Sequence, residues 1–352
     1  MFLNGIGTAA PSQRYTQLEG WDVVRQTEAF SKLRSRSQAI LRKVLLGVNG
    51  VEARHLALDS LAEAFALDPD TLHARFARNA PDLATEAARR ALAEARLETR
   101  SVDALLVATC TGYLCPGLTS YVAERLGLRS DVNALDLVGL GCGAALPSLQ
   151  TAEVFLRSGH AQNVLVVCVE VCSAAMFLDD DPGVLISACL FGDGAAAVVA
   201  SASPAPHRRS IGWKRMVSRL SPENRERLRF ETRGGMLRNV LTLEVPDVAA
   251  IYAGEVFDSL LQDLGMAPQD VREWILHAGG RDVLTALQRR LGLADQDLRH
   301  SAGVLREFGN LSSASVLFAL ASALDEGAPG GRWWMTSFGA GFSCHGALIE
   351  VG

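Results

Sequence analysis

The chain has 352 residues, of which 49% are apolar and 21% are charged, and its formal net charge is −5. This length exceeds what one hydrophobic core usually supports, so we expect a globular protein with two domains or a duplicated one. The acidic balance excludes a general nucleic-acid binder, because such proteins carry a sustained basic surface.

The N-terminus and the cysteines give expectations about compartment and metals. No apolar run is long enough to span a bilayer, and no signal-peptide pattern is present, so we expect a cytoplasmic protein with no membrane partner. The seven cysteines are an odd number with no Cys-x-x-Cys pair, and the histidines are scattered. We therefore expect neither disulfides nor a metal site. We interpret the three carboxylates at 179–181 as a solvated loop.

Short apolar segments with the character of buried strands alternate with segments of helical periodicity. This alternation is typical of an α/β layered fold. The Pro-rich segment 201–207 lacks periodicity and is the best boundary between two halves, residues 1–205 and 206–352. In chain order, the sequence predicts a helix at 82–95, a strand at 104–108, a helix at 144–157, strands at 163–169, 195–200 and 273–276, and a helix at 313–324.

The chain also contains an internal repeat, with an offset of 168 residues between its copies. The offset places the strand-like segment 102–109 over 270–277, and it places Cys142 over Asn310. A shared offset favours a duplicated α/β unit whose halves pack around a pseudo-twofold axis. Ligands in α/β proteins bind where strands end and helices begin. The axis would therefore bring Cys142, Asn310 and His277 to one site.

Cys142 follows a strand-like run that ends in glycines, and a predicted helix follows at once. Glycines permit a sharp turn, and a helix N-terminus stabilises a thiolate, which is the reactive form of cysteine. Cys142 is therefore the candidate nucleophile. The alternative for this residue alone is a small buried apolar side chain, and the repeat geometry favours the nucleophile.

His277 closes an apolar strand before two glycines, and Asn310 precedes several serines. Taken singly, the first could be a core histidine and the second a helix N-cap. Together with a cysteine, the imidazole can polarise the thiol, and both side chains can donate to a developing oxyanion. A cysteine hydrolase uses the same residue types. A decarboxylative Claisen condensation also needs them, because two neutral donors stabilise the enolate oxygen.

Four motifs in combination resemble those of the type III polyketide synthases, the chalcone synthase-like family, here of bacterial type. They are 141–143 (Gly-Cys-Gly), 277–280 (His-Ala-Gly-Gly), 309–313 (Gly-Asn-Leu-Ser-Ser) and 190–196 (Leu-Phe-Gly-Asp-Gly-Ala-Ala). The resemblance runs from about Gly5 to the C-terminus. It implies a homodimer with the thiolase fold, a duplicated five-layer αβαβα architecture. It also implies coenzyme A thioesters as substrates and no tightly bound cofactor.

By this resemblance Cys142 accepts the starter acyl group, while His277 and Asn310 promote decarboxylation of malonyl-CoA and stabilise oxyanions. Phe191 matches the aromatic gatekeeper between the coenzyme A tunnel and the cavity, a core aromatic being the alternative, and Arg54 matches a coenzyme A contact. Most matches to the cavity lining are small, which is consistent with a roomy pocket for an elongated acyl chain and equally with ordinary tight packing of a strand-rich core. These residues are Cys110, Thr111, Cys172, Ala175, Gly235, Ser312 and Phe338.

The sequence departs from the family pattern in several places. The usual His-Pro-Gly-Gly is His-Ala-Gly-Gly at 277–280, and the usual Gly-Phe-Gly-Pro-Gly is Ser-Phe-Gly-Ala-Gly at 337–341. Losing both prolines is expected to soften two loops. A second gatekeeping aromatic has no clear match between Leu237 and Pro246. Since only Arg54 matches a coenzyme A contact, an acyl carrier protein is an alternative donor of the starter.

We therefore predict a type III polyketide synthase, an acyltransferase that loads a starter on Cys142, extends it with malonyl-CoA and cyclises the chain. The product would be an alkylpyrone, an alkylresorcinol or a related compound. The alternative is a single condensation like that of ketoacyl synthase III, which a pocket too small for a tetraketide would favour. A degenerate binding paralogue and a cysteine hydrolase are the less favoured hypotheses.

Overall fold

The structure is a computed structural model that describes residues 1–352. No helix in it combines the length and the apolar character needed to cross a lipid bilayer. The strands and helices, in chain order, are β1 (Phe2–Ala9), β2 (Arg14–Thr16), α1 (Gln17–Val24), α2 (Glu28–Ser31), α3 (Ser35–Leu46), β3 (Ala53–His55), α4 (Pro69–Ala95), β4 (Ala104–Thr109), α5 (Leu118–Leu126), β5 (Asn133–Val138), α6 (Ala145–Arg157), β6 (Asn163–Glu170), α7 (Pro182–Leu190), β7 (Gly194–Ser201), β8 (Ile211–Leu220), β9 (Leu228–Arg233), β10 (Met236–Leu241), α8 (Val245–Leu264), β11 (Val271–Leu276), α9 (Arg281–Leu291), α10 (Arg299–Phe308), α11 (Ser315–Asp325), β12 (Gly331–Gly339) and β13 (Ser343–Val351).

Nine strands form one hydrogen-bonded sheet in the order β11-β12-β13-β8-β1-β7-β6-β4-β5. β1 and β8 meet through the pair Phe2 and Gly212, so the sheet consists of two parts joined at a narrow junction. Reading outward from this junction, the first part runs β1-β7-β6-β4-β5 and the second runs β8-β13-β12-β11. In the first part β7 is antiparallel to β6, and in the second part β13 is antiparallel to β12.

Alternate residues of the central strands face opposite sides, as the two-residue period of a strand requires. Leu106 of β4 packs in one core with α6 and α11, whereas its neighbour Leu105 packs with α4 and α5. In the second part, Met335 of β12 joins the α6 and α11 core, whereas Trp334 packs with α8 and α9. Two helical layers therefore flank the two sheet parts, and a third lies between them. This arrangement confirms the predicted five-layer αβαβα fold.

The repeat offset is visible in the elements. β6 begins at Asn163 and β12 begins at Gly331, which are 168 positions apart, and α6 and α11 occupy the same central layer. Residues 202–210 connect β7 to β8, which starts the second part. The division of the chain at residue 205 stays a prediction.

Each predicted strand and helix is present, but the first predicted helix is much longer than expected. α4 begins at Pro69, and the side chain of Asp68 caps it by accepting from the backbone N–H of Thr71 at 2.9 Å. Pro81 lies inside this helix, so the prediction that the helix starts after Pro81 was wrong. A proline removes one helical hydrogen bond, yet Pro81 lies on the buried face beside Ala80 and Ala84, and that burial holds the helix together.

α4 lies unusually close to β1 because β1 contributes glycines and α4 contributes alanines to their contact. A Cβ atom on Gly7 would overlap the backbone carbonyl oxygen of Ala87 and the backbone nitrogen of Ala91. Neither atom belongs to a flexible side chain, so the helix itself would have to move away from the sheet.

Gly7→Ala is therefore expected to lower the free energy of unfolding by about 1 to 3 kcal/mol, the usual effect of overpacking a core. Urea unfolding followed by circular dichroism measures this change. The control is Gly303→Ala in α10, where a Cβ would meet no atom within 4 Å. That helical substitution should raise the free energy of unfolding by about 0.5 to 1 kcal/mol. Equal effects of the two variants would contradict the close packing of β1 on α4.

Candidate active site

Cys142 lies in a short 3-10 turn, Gly141–Gly143, directly before α6, as predicted, and it is 7% exposed. Glycines on both sides of this turn allow a second backbone segment to approach it. A Cβ on Gly339 would come within 2.5 Å of the backbone nitrogen of Gly143 and 3.1 Å of that of Cys142. The nucleophile turn of the first half therefore packs directly against β12 of the second half.

Ser312 connects Cys142 with the predicted asparagine. Its hydroxyl donates to Cys142 Sγ at 3.2 Å and also lies 3.2 Å from Cys110 Sγ. Its backbone N–H donates to Asn310 Oδ1 at 2.8 Å. The sulfur and the carboxamide thus approach a single residue from two sides.

Asn310 in turn contacts the loop that carries His277. Its Nδ2 donates to the carbonyl of Gly279 at 3.1 Å. The His277 ring stands edge-on to Phe338 with centroids 5.0 Å apart, and Phe338 precedes the glycine that touches the cysteine turn. His277 Nδ1 is buried and has no hydrogen-bond partner. A closed path of contacts thus joins the three residues that the sequence predicted to meet.

Burial controls the protonation of the two titratable groups. It raises the pKa of Cys142 to about 12, although the Ser312 hydroxyl opposes this shift, and it lowers the pKa of His277 to about 3. Desolvation disfavours whichever form is charged, so at neutral pH the site holds a thiol and a neutral imidazole. Burial therefore outweighs the stabilisation of a thiolate that the helix N-terminus was expected to supply.

A cavity of about 710 Å³ borders this site, which is within the roughly 300 to 1,000 Å³ typical of ligand pockets. Three of the predicted lining residues, Cys110, Thr111 and Gly235, belong to its wall. Thr111 and Phe230 also belong to a narrow pocket of about 20 Å³, which we call the neck. The neck is lined by Thr111, Cys172, Ala175, Met176, Phe177, Ser187, Ala188, Phe191, Phe230 and Asn239.

Phe230 lines the neck together with Phe191 and Phe177. It lies outside the segment between Leu237 and Pro246, where a second gatekeeping aromatic was expected. Phe230 lies on β9, and the cross-strand pairing of β9 with β10 places it opposite Asn239. The sequence signal that could have identified Phe230 is the hairpin turn at Gly234, because such a turn places Phe230 on one strand opposite Asn239 on the other.

The structure places Arg54 in the interior, at 6% exposure, rather than at a surface that could meet coenzyme A. Its guanidinium donates to the carbonyls of Ala188 at 2.8 Å and Phe191 at 3.0 Å. Phe191 is also bridged to Asn310, whose backbone N–H donates to the carbonyl of Leu190 at 2.8 Å. The predicted role of Arg54 is therefore corrected, because this residue fixes the backbone that carries Phe191.

Glu170 is a functional candidate that the sequence analysis passed over. It is fully buried at the end of β6, where it accepts from the Thr111 hydroxyl at 2.9 Å, the Cys110 N–H at 3.1 Å and the Ser313 hydroxyl at 2.5 Å. Burial raises its pKa. An acid that closes an otherwise apolar strand was the available signal. Glu170 ties the cavity wall to the serines that follow Asn310.

The fold and this site define a thiolase-fold condensing enzyme, and comparisons with known proteins identify the family. The family model described as FAE1/Type III polyketide synthase-like protein matches residues 24–220, and that of the 3-oxoacyl-(acyl-carrier-protein) synthase III C terminal matches residues 261–351. The chain is 31% identical to a 3,5-dihydroxyphenylacetyl-CoA synthase of Streptomyces toyocaensis, over 98% of this chain and 89% of the relative. It is 32% identical to a 1,3,6,8-tetrahydroxynaphthalene synthase of Streptomyces peucetius subsp. caesius, over 98% and 92%.

Solved structures agree with these relatives. PKS-I from the brown alga Ectocarpus siliculosus superposes with a TM-score of 0.90 at 25% identity, over 99% of this chain and 98% of that one. The tetrahydroxynaphthalene synthase of Streptomyces coelicolor A3(2) gives 0.89 at 25% identity, over 100% and 99%. The chain belongs to the type III polyketide synthase family. The predicted polyketide synthase and acyltransferase activity is confirmed, and the single-condensation alternative is not favoured.

A second histidine lies behind the nucleophile turn. A Cβ on Gly143 would be 3.3 Å from Cδ2 of His345, whose Nδ1 lies 2.9 Å from the Ser218 hydroxyl and whose buried Nε2 has no partner. Burial lowers the pKa of His345 to about 4. Between pH 6.5 and 4 the unfolded chain therefore binds a proton at this position that the folded chain does not bind.

Proton uptake by the unfolded chain makes the wild-type protein less stable as the pH falls from 6.5 towards 4. The substitution His345→Gln is expected to remove this contribution. A single such histidine changes the free energy of unfolding by up to about 1.4 kcal/mol per pH unit in that window. Thermal unfolding midpoints across the window measure the slope for both proteins. The exposed His73→Gln is the matched control and should leave the slope unchanged. An identical slope in wild type and His345→Gln would show that the ring is not buried as described.

Proposed function

We propose that the protein builds a polyketide from a coenzyme A starter and malonyl-CoA, with Cys142 as the acyl carrier and with His277 and Asn310 as its catalytic partners. The observation that supports this assignment is the closed path of contacts from the Cys142 sulfur through Ser312 and Asn310 to the His277 loop, beside a 710 Å³ cavity. No tightly bound cofactor is needed for this chemistry.

Starter loading transfers an acyl group from one sulfur to another. The neutral His277 imidazole takes the proton of the Cys142 thiol while the sulfur attacks the starter carbonyl. The bond to coenzyme A then breaks, and the departing thiolate receives that proton. His277 is neutral at pH 7, so its ring has an unprotonated nitrogen that can accept this proton. The raised pKa of Cys142 makes such a base necessary.

Chain extension joins malonyl-CoA to the acyl group on Cys142. Loss of carbon dioxide leaves its electron pair as a thioester enolate, whose oxygen accepts hydrogen bonds from His277 and Asn310. The Asn310 carboxamide has two N–H donors. One donates to the Gly279 carbonyl, so the other is free to donate to the enolate oxygen. The enolate carbon attacks the Cys142 thioester, and the sulfur leaves as a thiolate. Two preorganised donors typically contribute several kcal/mol to such a step.

Repeated extension followed by cyclisation fits the size of the cavity. About 710 Å³ accommodates a chain of several ketide units beside its starter. Relatives of this chain are named for an α-pyrone, for tetrahydroxynaphthalene and for 3,5-dihydroxyphenylacetyl-CoA. We infer that this protein also makes a cyclised product, an alkylpyrone, an alkylresorcinol or a related compound. An acyl carrier protein is the alternative donor of the starter.

We further propose a cytoplasmic homodimer. All seven cysteines are free, which suits a reducing compartment. β5 lies at one end of the nine-stranded sheet, and its residues Leu135 and Val138 are 44% and 55% exposed. An apolar edge strand is a template for pairing with another chain. A second copy would cover it, and residues 1–205 would then form the half that carries the interface.

Cys142→Ala and Asn310→Ala separate loading from extension. After incubation with a medium-chain acyl-CoA, intact-protein mass should show one acyl group on wild type and none on Cys142→Ala. Asn310→Ala should still load within a few-fold of the wild-type rate, while product formation from malonyl-CoA should fall by about 100-fold or more.

The exposed Cys115→Ala is the control and should behave as wild type in both assays. Acylation that persists in Cys142→Ala would exclude that residue as the nucleophile. Equal losses of loading and extension in Asn310→Ala would contradict its assigned role. A product that carries only one added acetate unit would support the single-condensation alternative.

Leu135→Glu tests the proposed dimer. A charge on the apolar edge should shift the mass measured by light scattering from two copies of the chain to one at micromolar concentration. Ile251→Glu is the matched control, since Ile251 is 53% exposed on α8, which packs against β13 and β8 in the other part of the sheet. Dissociation by Ile251→Glu, or a monomeric wild type, would refute an interface at β5.

A further inference from the structure

Asn239 is a buried polar side chain that the mechanism above does not use. It is 6% exposed, and its Oδ1 atom is buried without any hydrogen-bond partner. An unsatisfied buried polar group destabilises a folded protein. Rotation of the carboxamide can present either its acceptor oxygen or its donor nitrogen at the same point.

The neck places this carboxamide beside the cavity. Asn239 and Phe230 form a cross-strand pair, and both line the neck with Phe191. Thr111 and Phe230 are shared with the large cavity, and the backbone of Phe191 is bridged to Asn310. A chain held in the cavity can therefore place one of its oxygens in the neck beside Asn239.

The strand that carries Asn239 is held firmly in place. The neighbouring Arg238 donates to Asp179 at 2.8 Å and to Glu231 at 2.9 Å, and it pairs with Asp181 at 3.1 Å. Asp179 and Asp181 are thus anchored to β10, and Asp180 accepts from the Arg34 N–H and the Ser37 hydroxyl, so the prediction of a freely solvated loop was wrong. With β10 fixed, the Asn239 carboxamide cannot swing out to bulk water, and it faces a pocket of about 20 Å³.

Most of the neck is apolar, so a hydrogen bond formed there is stronger than one made in water. The starter part of the chain, if alkyl or aryl, offers no partner to a carboxamide. The extended part carries an oxygen on every second carbon. A keto oxygen accepts from the amide N–H, and an enol hydroxyl donates to the amide oxygen. Only the poly-β-keto part therefore satisfies Asn239.

We propose that Asn239 binds a keto or enol oxygen of the growing poly-β-keto thioester in the neck and thereby determines how many extensions precede release. This inference rests on the proposed function, since it assumes a chain that grows on Cys142. Asn239 is then a specificity residue that contacts the intermediate, and it has no part in starter loading.

The test is Asn239→Leu, which keeps the side-chain volume and removes the hydrogen-bonding groups. With octanoyl-CoA and malonyl-CoA, acylation of Cys142 should stay within twofold of wild type, while the ratio of longer to shorter ketide products falls by roughly 5- to 20-fold. Because the variant buries no unsatisfied amide, its unfolding midpoint should equal or exceed that of wild type. Asn239→Ser retains a donor and an acceptor and should restore part of the ratio.

Thr232→Val, at an exposed position of β9 that lines neither the neck nor the cavity, is the matched control and should leave products unchanged. An unchanged product ratio in Asn239→Leu would overturn the proposal and leave Asn239 as a partner of one bound water. Parallel losses of loading, extension and stability would also overturn it. The same assays also show whether the wild-type protein loads a starter and extends it. Failure of the wild-type protein in either step would refute the proposed function.

Discussion

The contact between the cysteine turn and β12 is the constraint on which the active site depends. Gly143 and Gly339 let two backbone segments approach so closely that no side chain fits between them. Ser337 secures the contact by donating to the carbonyl of Gly143 at 3.1 Å. Each part of the sheet supplies one segment, so the proposed catalytic residues are aligned by packing of the interior rather than by flexible surface loops.

Burial at this contact also determines the chemistry. A dry site raises the pKa of a thiol and lowers the pKa of an imidazole, so both groups rest uncharged. The thiol consequently needs a base, and the imidazole is neutral and able to act as one. The same imidazole can donate a hydrogen bond to an enolate. Desolvation thus leaves the His277 ring neutral and able to donate a hydrogen bond, and it also makes the ring a weaker base.

The repeat offset of 168 residues predicted the fold and the meeting of Cys142, His277 and Asn310, because one α/β unit folds the same way twice. The sequence could not predict features that depend on three-dimensional neighbours. Arg54 matched a family position, yet its guanidinium lies inside and binds carbonyls. Periodicity alone did not show that α4 continues through Pro81, since burial of Pro81 beside Ala80 and Ala84 stabilises this part of the helix.

The lost prolines show how tertiary contacts replace local stiffness. The loop at His277 lacks the family proline, but the Gly279 N–H donates to the carbonyl of His277 at 2.9 Å, and Asn310 holds the Gly279 carbonyl. Ala278 is fully buried, which leaves this loop little room to move. The expected softening is thus opposed by a hydrogen bond from the Asn310 carboxamide. Asn310 therefore couples the shape of the His277 loop to the position of its own carboxamide, which is the donor that the proposed mechanism aims at the enolate.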